Sequence, residues 1–438
     1  MSYTFTDFLH LEVSPALGCT EPVAVALAAS AAAHLVPQEP VHHLQVWVDG
    51  NVFKNGLAVI IPGTKGLKGL DLAAALGALG GDPGQGMQVL EGISAMSLQQ
   101  AVDLVRSGKV RADLDPRAQG LSIRARVESA SQSAEAWIQG AHDAIVGLWR
   151  NEKAITDHPL LTDRSKAGGH DVLHLEQWLQ KQSLDTLLHM LDQIDEQDLA
   201  RLRQGVDMNH QLALYGLTHA PGLGVGRALS DLADEQVLCR DMLLEAKIMT
   251  AAAADARMAG INLPAMSSAG SGNNGLTAIL PIWAVREYVQ CSESTLLQGI
   301  GLSHLITAFI KTHTGRLSAV CSCSLAAGAG SAAGLAFILS RDPGVIAQAV
   351  NNVIEDLGGV LCDGAKTGCA LKLATAAGSA IQAALLATRQ VTAPVQDGIL
   401  GQTLDQSVAN LGRLCRQGMA DTGSSILNIM LDKTRSQS

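Results

Sequence analysis

The chain has 438 residues, of which 47% are hydrophobic and 16% charged, and its formal net charge is −10. That is more than one ordinary core needs, and it excludes a disordered chain. Aromatics make up only 3% and no Lys/Arg-rich run occurs, so neither an aromatic-rich sheet sandwich nor a nucleic-acid partner is expected.

Residues 1–11 carry Asp7 and lack a basic segment ahead of an apolar one, so no secretory signal is expected. Eight cysteines without an export signal point to a reducing, cytoplasmic setting, where thiols serve metals or catalysis. Phe5–Val13 reads as a short amphipathic helix. In Ser14 to Pro22, Thr20 can cap a helix and Pro22 suits its first turn. Val23–Leu35 is then a near-continuous apolar helix. Cys19 stands just ahead of it, where free N–H groups and the dipole favour a thiolate.

From Pro40 the pattern turns to strands. His43–Val48 and Leu57–Ile61 predict a hairpin joined through Asp49-Gly50-Asn51 and Lys54-Asn55-Gly56. Leu70–Leu79 and Ser97–Ser107 read as helices, and Leu121–Val127 and Ala134–Gln139 return to the sheet. Residues 151–180 are polar and read as a surface connection, with His170 and His174 as surface residues. Val172–Arg203 predicts one or two amphipathic helices.

Beyond Asp207 the chain is mostly helical and rich in small residues. Ala246–Gly260 is a helix with Asp255 and Arg257 set among alanines. Pro264–Gly275 breaks it, with a further helix from Leu276. This loop offers hydroxyls, carboxamides and backbone N–H groups, a cradle for a small carboxylate or phosphate. It carries neither a P-loop nor a dinucleotide fingerprint. Leu302–His313, Val345–Glu355, Ala370–Leu386, Thr403–Arg416 and Ser424–Lys433 are further helices.

Ser318–Ser340 is uncharged and long enough to span a bilayer. Its content is mostly Ala, Gly, Ser and Cys, and basic clusters do not flank it, so a buried helix is expected rather than a membrane span. The fold expected is α+β: N-terminal helices over 1–38 packing on a helical domain, a small α+β module inserted over 39–150, and the predominantly helical, small-residue core over 151–438.

Three cysteine sites adjoin glycine and a helix start: Cys19, Cys321 with Cys323, and Cys362 with Cys369. Cys239, Cys291 and Cys415 lie in ordinary amphipathic patterns and read as packing residues. No Cys-x-x-Cys occurs, which argues against structural zinc. Dispersed thiolates can converge on one iron–sulfur cluster, and three ligands leave one iron open as a Lewis acid.

The segments Pro15-Ala16-Leu17-Gly18-Cys19-Thr20-Glu21-Pro22, Lys54-Asn55-Gly56, Ser271-Gly272-Asn273-Asn274-Gly275, Gly315 to Cys323 and Cys362-Asp363-Gly364-Ala365-Lys366 span nearly the whole chain. Carrying them, the sequence resembles the L-cysteine desulfidase (UPF0597) family, related to the α-domain of the iron–sulfur L-serine dehydratases. The resemblance implies a [4Fe–4S] cluster on Cys19, Cys362 and one of Cys321 and Cys323. Cys321 is favoured, and Cys369 competes with Cys19. It implies β-elimination, L-cysteine giving pyruvate, ammonia and sulfide, with L-serine as the alternative substrate of the same mechanism. Ser271, Gly272, Asn273 and Asn274, with Lys54 and Asn55, would bind the substrate. Glu21, Lys366 and His313 are the candidates for proton transfer. The family pattern carries a polar, Asn-containing stretch after a histidine near His142, whereas this chain has His142-Asp143-Ala144-Ile145. A homodimer is expected. The competing readings are a non-catalytic amino-acid-binding or redox-sensing protein using the same thiols, and a membrane carrier built on the small-residue helices.

Overall fold

The computed structural model describes residues 3–36, 39–64, 66–118, 120–162, 168–315, 318–396 and 398–435. Arg316 and Leu317 of the Gly-Arg-Leu-Ser segment, and the side chain of His170, lie outside the described residues. His174 is exposed.

The chain opens with α1 (Phe5–Glu12), β1 (Pro15–Ala16), α2 (Thr20–His34), β2 (His43–Val48), α3 (Gly50–Gly56), α4 (Leu70–Gly80) and α5 (Ala95–Arg106). Strands β3 (Val110–Leu114), β4 (Ser122–Glu128), β5 (Ser133–Gln139), β6 (Ile145–Arg150) and β7 (Lys153–Ile155) complete a sheet ordered β3-β2-β4-β5-β6-β7. Only the β2–β3 pair is parallel, and Leu44 lies opposite Val110 in it. Alternation along β2 and β4 buries Leu44, Val46, Val48, Ile123, Ala125 and Val127 on one face. Helices α2 and α4 cover that face.

The helical unit follows: α6 (Gly168–Leu179), α7 (Leu184–Leu191), α8 (Glu196–His219), α9 (Val225–Asp234), α10 (Met242–Met258), β8 (Ala265–Met266), α11 (Gly272–Ala284) and α12 (Glu293–Thr314). It closes with α13 (Ala326–Leu339), α14 (Pro343–Leu357), α15 (Cys369–Thr388), α16 (Leu404–Arg413) and α17 (Thr422–Arg435). Helix α13 is its axis, packed by α11, α12, α14 and α15, and every residue from Ala326 to Ala336 is buried. Small side chains let backbones meet: a Cβ on Gly334 would lie 2.3 Å from the carbonyl oxygen of Gly299 on α12. Among the described residues one helix, Cys369–Thr388, is long and apolar enough to cross a membrane, and 61% of its apolar window is buried inside the protein. The uncharged 318–340 stretch is instead part loop and part helix α13.

The α+β class with a helical, small-residue core is as expected, and several local expectations change. There is no hairpin after β2. Asp49 accepts hydrogen bonds from the amides of Asn51 and Val52 and starts helix α3, so Lys54-Asn55-Gly56 is helical. Burial of Val52 and Phe53 holds that helix against its turn-like composition. Of Leu57–Ile61, only Ile60 pairs, in an isolated bridge with Lys68. Residues 3–36 divide between two cores. Phe5, Phe8 and Leu9 of α1 join the helical unit, whereas α2 belongs to the sheet module. Helix α2 is apolar all round, buried from Glu21 to Ala32, so it can lie between a sheet and α4. Leu427 and Leu431 of α17 also return to the sheet module.

Candidate active site

Backbone pairing brings two distant cysteine segments together. Val320 and Leu361 form an antiparallel bridge. Across it the Cys321 amide donates to the Val360 carbonyl at 2.7 Å, and the Cys362 amide to the Ala319 carbonyl at 2.8 Å. Cys369 opens α15 and Cys19 is the N-cap of α2. Thr20 is the first helical residue rather than the cap, and no side chain caps this helix.

The five thiols form one electrostatic group. Cys323 feels the sulfurs of Cys321, Cys369 and Cys362, and Cys369 feels those of Cys321, Cys19 and Cys362. The neighbouring Cys323 thiol lowers Cys321 against its burial, and Cys323 is itself pushed well above the ordinary thiol range. The Ser324 hydroxyl also donates to the Cys321 sulfur, at 3.4 Å. Burial pushes Cys369 up to about 11. Burial raises Cys19 too, with the Arg257 guanidinium opposing it.

Cations surround the sulfurs. Lys54 is buried and donates to the Cys362 carbonyl at 3.3 Å. Lys372 donates to Asp363 at 2.6 Å, and Lys366 bonds the other oxygen of the same carboxylate. Burial, then the neighbouring Lys372, pulls Lys366 below the ordinary lysine range. Glu21 accepts from Asn55 Nδ2 at 2.9 Å and from the Thr20 hydroxyl at 3.1 Å. Among the described residues, Lys366 and Lys372 share the one carboxylate of Asp363, and Lys54 and Arg257 donate to carbonyl and carboxamide oxygens rather than to a carboxylate. The centre thus carries an excess of positive charge that suits an anionic guest.

The Ser271–Gly275 segment is not a solvent loop. Helix α11 begins at Gly272, so the two asparagines lie in its first turn, and both are buried. Asn274 donates to the Ser268 carbonyl at 3.2 Å and accepts from the Ser322 hydroxyl at 2.8 Å. Asn273 accepts from Arg257 Nη1 at 2.8 Å. Their carboxamides therefore brace the segment, leaving Ser271 and the first-turn amides to meet a ligand. The Ser271 hydroxyl lies 3.9 Å from the Cys323 sulfur, which ties this segment to the thiols.

The structure thus gathers Cys19, Glu21, Lys54, Asn55, Ser271, Gly272, Asn273, Asn274, Cys321, Cys362 and Lys366 around one centre, with Cys323 and Cys369. His313 is elsewhere in its described contacts. Its ring meets Phe309 edge-on at 5.1 Å, and its carbonyl accepts from Arg416 next to α16. Of the cysteines expected to pack, Cys415 is buried, Cys291 half-buried and Cys239 exposed. Sequence reading left Arg257 without a role. Its signal is a guanidinium on a helix buried from Ile248 to Met258, where charge is rare unless used.

Among the described residues, no three His, Cys, Asp or Glu side chains stand close enough to hold a single metal ion. A cuboidal cluster is several ångströms across and needs its cysteines further apart than one ion does. An all-sulfur donor set, drawn from three chain segments and ringed by lysines, fits such a cluster.

The serine dehydratase alpha chain family profile matches residues 89–428. A UPF0597 protein of Desulfatibacillum aliphaticivorans is 50% identical over 434 residues, covering 99% of each chain. UPF0597 proteins of Geobacter sulfurreducens and Clostridioides difficile are 40% and 38% identical over 98% of this chain, covering 98% and 99% of theirs. The chain therefore belongs to the UPF0597 family and carries the serine dehydratase alpha-chain domain.

Proposed function

We propose that the protein is a lyase that eliminates the β-substituent of a small amino acid, L-cysteine first, giving pyruvate, ammonia and sulfide with uptake of one water. L-serine, which differs at the leaving atom, is the alternative substrate. The observation that carries this reading is the convergence of thiols from three distant segments beside the first turn of α11. Cys19, Cys321 and Cys362, one from each segment, would hold a [4Fe–4S] cluster, with Cys369, which feels Cys321, Cys19 and Cys362 alike, as the competitor of Cys19. When bound, such a cluster with three protein ligands supplies an open iron as Lewis acid.

The chain's own groups do the rest. Ser271 and the amides opening α11 receive the substrate beside the thiols. Lys366, whose proton is loosened by burial and by Lys372, would exchange a proton with the substrate. Glu21 fixes Asn55 and Thr20 next to Cys19. The buried walls exclude water until the enamine product is released to hydrolyse. The protein works in the cytoplasm as a homodimer, which light scattering after size exclusion tests directly.

The test is iron and acid-labile sulfide content of protein purified without oxygen, with cysteine and serine turnover on the same sample. About four irons per chain, with sulfide and pyruvate formed from cysteine, is the expected result. Cys19→Ser, Cys321→Ser and Cys362→Ser should each lose iron and Cys369→Ser should keep it; the reverse result for Cys19 and Cys369 makes Cys369 the third ligand. Wild-type protein that holds no iron after anaerobic reconstitution sinks the reading. Iron with faster turnover of serine moves the substrate to serine.

A further inference from the structure

We propose that Arg257, with the first turn of α11, anchors the α-carboxylate of the substrate. The inference rests on the lyase reading and assigns the residue that selects amino acids as acids. The Arg257 side chain sits in the core, with the residue only 6% exposed. Among the described residues it makes no ion pair with a carboxylate. One N–H meets Asn273 Oδ1 at 2.8 Å and another the Gly18 carbonyl, and the charge lies near the Cys19 thiol. A guanidinium has five N–H donors in a planar fork. The Nε–H is buried without a partner, and a further donor remains. A buried cation that meets only neutral acceptors is costly, and an arriving anion relieves that cost.

Position says which anion. A Cβ on Gly272 would lie 2.4 Å from Nε and 2.7 Å from the guanidinium carbon. Glycine there lets the fork lie against the first residue of α11. The free first-turn amides and the helix dipole favour negative charge at the same point. Fork and helix start together match a planar carboxylate accepting from both sides. Ser271 then stands between that carboxylate and Cys323, 3.9 Å from its sulfur. A substrate held here by its carboxylate directs its β-substituent toward the thiols.

The experiment compares L-cysteine with L-cysteine amide on anaerobically assembled holoenzyme, wild type against Arg257→Met and Arg257→Lys. Wild type should prefer the acid strongly. Arg257→Met should raise KM for the acid by about thirtyfold or more, change kcat far less, and leave KM for the amide nearly unchanged. Arg257→Lys, which keeps the charge but not the fork, should fall between and serves if the Met variant does not fold. Unchanged KM for the acid, or an unchanged acid-to-amide ratio, overturns the proposal. A second readout separates it from the lyase reading: thermal protection by L-serine, which needs no turnover. Protection of wild type but not of the variants, with no turnover by any of them, sinks the lyase and supports the carboxylate anchor. Equal protection of all three, or none, overturns the anchor.

Discussion

The ammonium of Lys54 donates to the carbonyl of Cys362 at 3.3 Å. Lys54 belongs to the sheet module and Cys362 to the thiol loop of the helical unit, so this bond sews the two units together at the reactive centre. Lys54→Met should test charge apart from fold. It loses one hydrogen bond and also the cost of burying a cation, so stability should change by no more than about 1 kcal/mol. Activity should fall by about tenfold or more, because the chamber loses positive charge beside its anionic guest. Parallel melting and turnover measurements decide it. Activity that falls only in proportion to folded protein would make Lys54 a mere strut.

Gly364 governs the same seam from the other side. Its φ is +91°, and a Cβ there would lie 2.5 Å from the Lys54 carbonyl oxygen. Gly364→Ala adds left-handed strain of about 1–2 kcal/mol and a clash of similar size. It should lower the melting temperature by several degrees and loosen iron retention. Gly359→Ala in the same loop is the control, since nothing lies within 4 Å of a Cβ there. Equal melting of the two variants would show that the seam does not depend on this contact.

Much of this arrangement is legible in sequence. Glycine beside cysteine at a helix start marks Cys19 and Cys369, and α2 is legible as a helix with no polar face. Other features depend on distant partners. Lys54-Asn55-Gly56 reads as a turn because Asn and Gly favour turns, yet Asp49 and the burial of Phe53 make it a helix. The expected start at Leu276 misses that Asn273 and Asn274 satisfy themselves through Arg257, Ser268 and Ser322 and so enter the helix. Strand β3 pairs with β2 in parallel across α3, α4 and α5, and no local pattern encodes that register. Arg257 is silent alone, since its acceptor Gly18 is 239 residues away.

Asn274 is the brace of the α11 start, fully buried between the Ser268 carbonyl and the Ser322 hydroxyl. Asn274→Ala leaves the Ser322 hydroxyl without its acceptor, while the Ser268 carbonyl keeps the Ser271 amide at 3.1 Å, and should cost about 1–2 kcal/mol. Asn274→Asp keeps an acceptor for Ser322 but turns a buried negative charge toward a carbonyl, so it should cost more than Ala. Chemical denaturation of the three proteins gives the order. An Asp variant as stable as the Ala variant would mean that this site admits water.

The last prediction concerns pH. Asp255 on α10 is 1% exposed, and burial pushes its carboxyl up to about 6, although the Gly226 amide donates to it at 3.0 Å. Its folded value lies above the unfolded 3.8. Its contribution is therefore fully present below pH 3.8 and is lost as pH rises through about 6. The shift corresponds to about 3 kcal/mol. Asp255→Asn stays neutral throughout and can still accept from Gly226. Relative to that variant, wild type should lose about 2 kcal/mol between pH 4 and pH 7, whatever other groups titrate in both proteins. Urea midpoints of the pair across this range provide the measurement. Parallel curves would mean that Asp255 is ionised at every pH tested, held by the amides that open α9 rather than opposed by its burial.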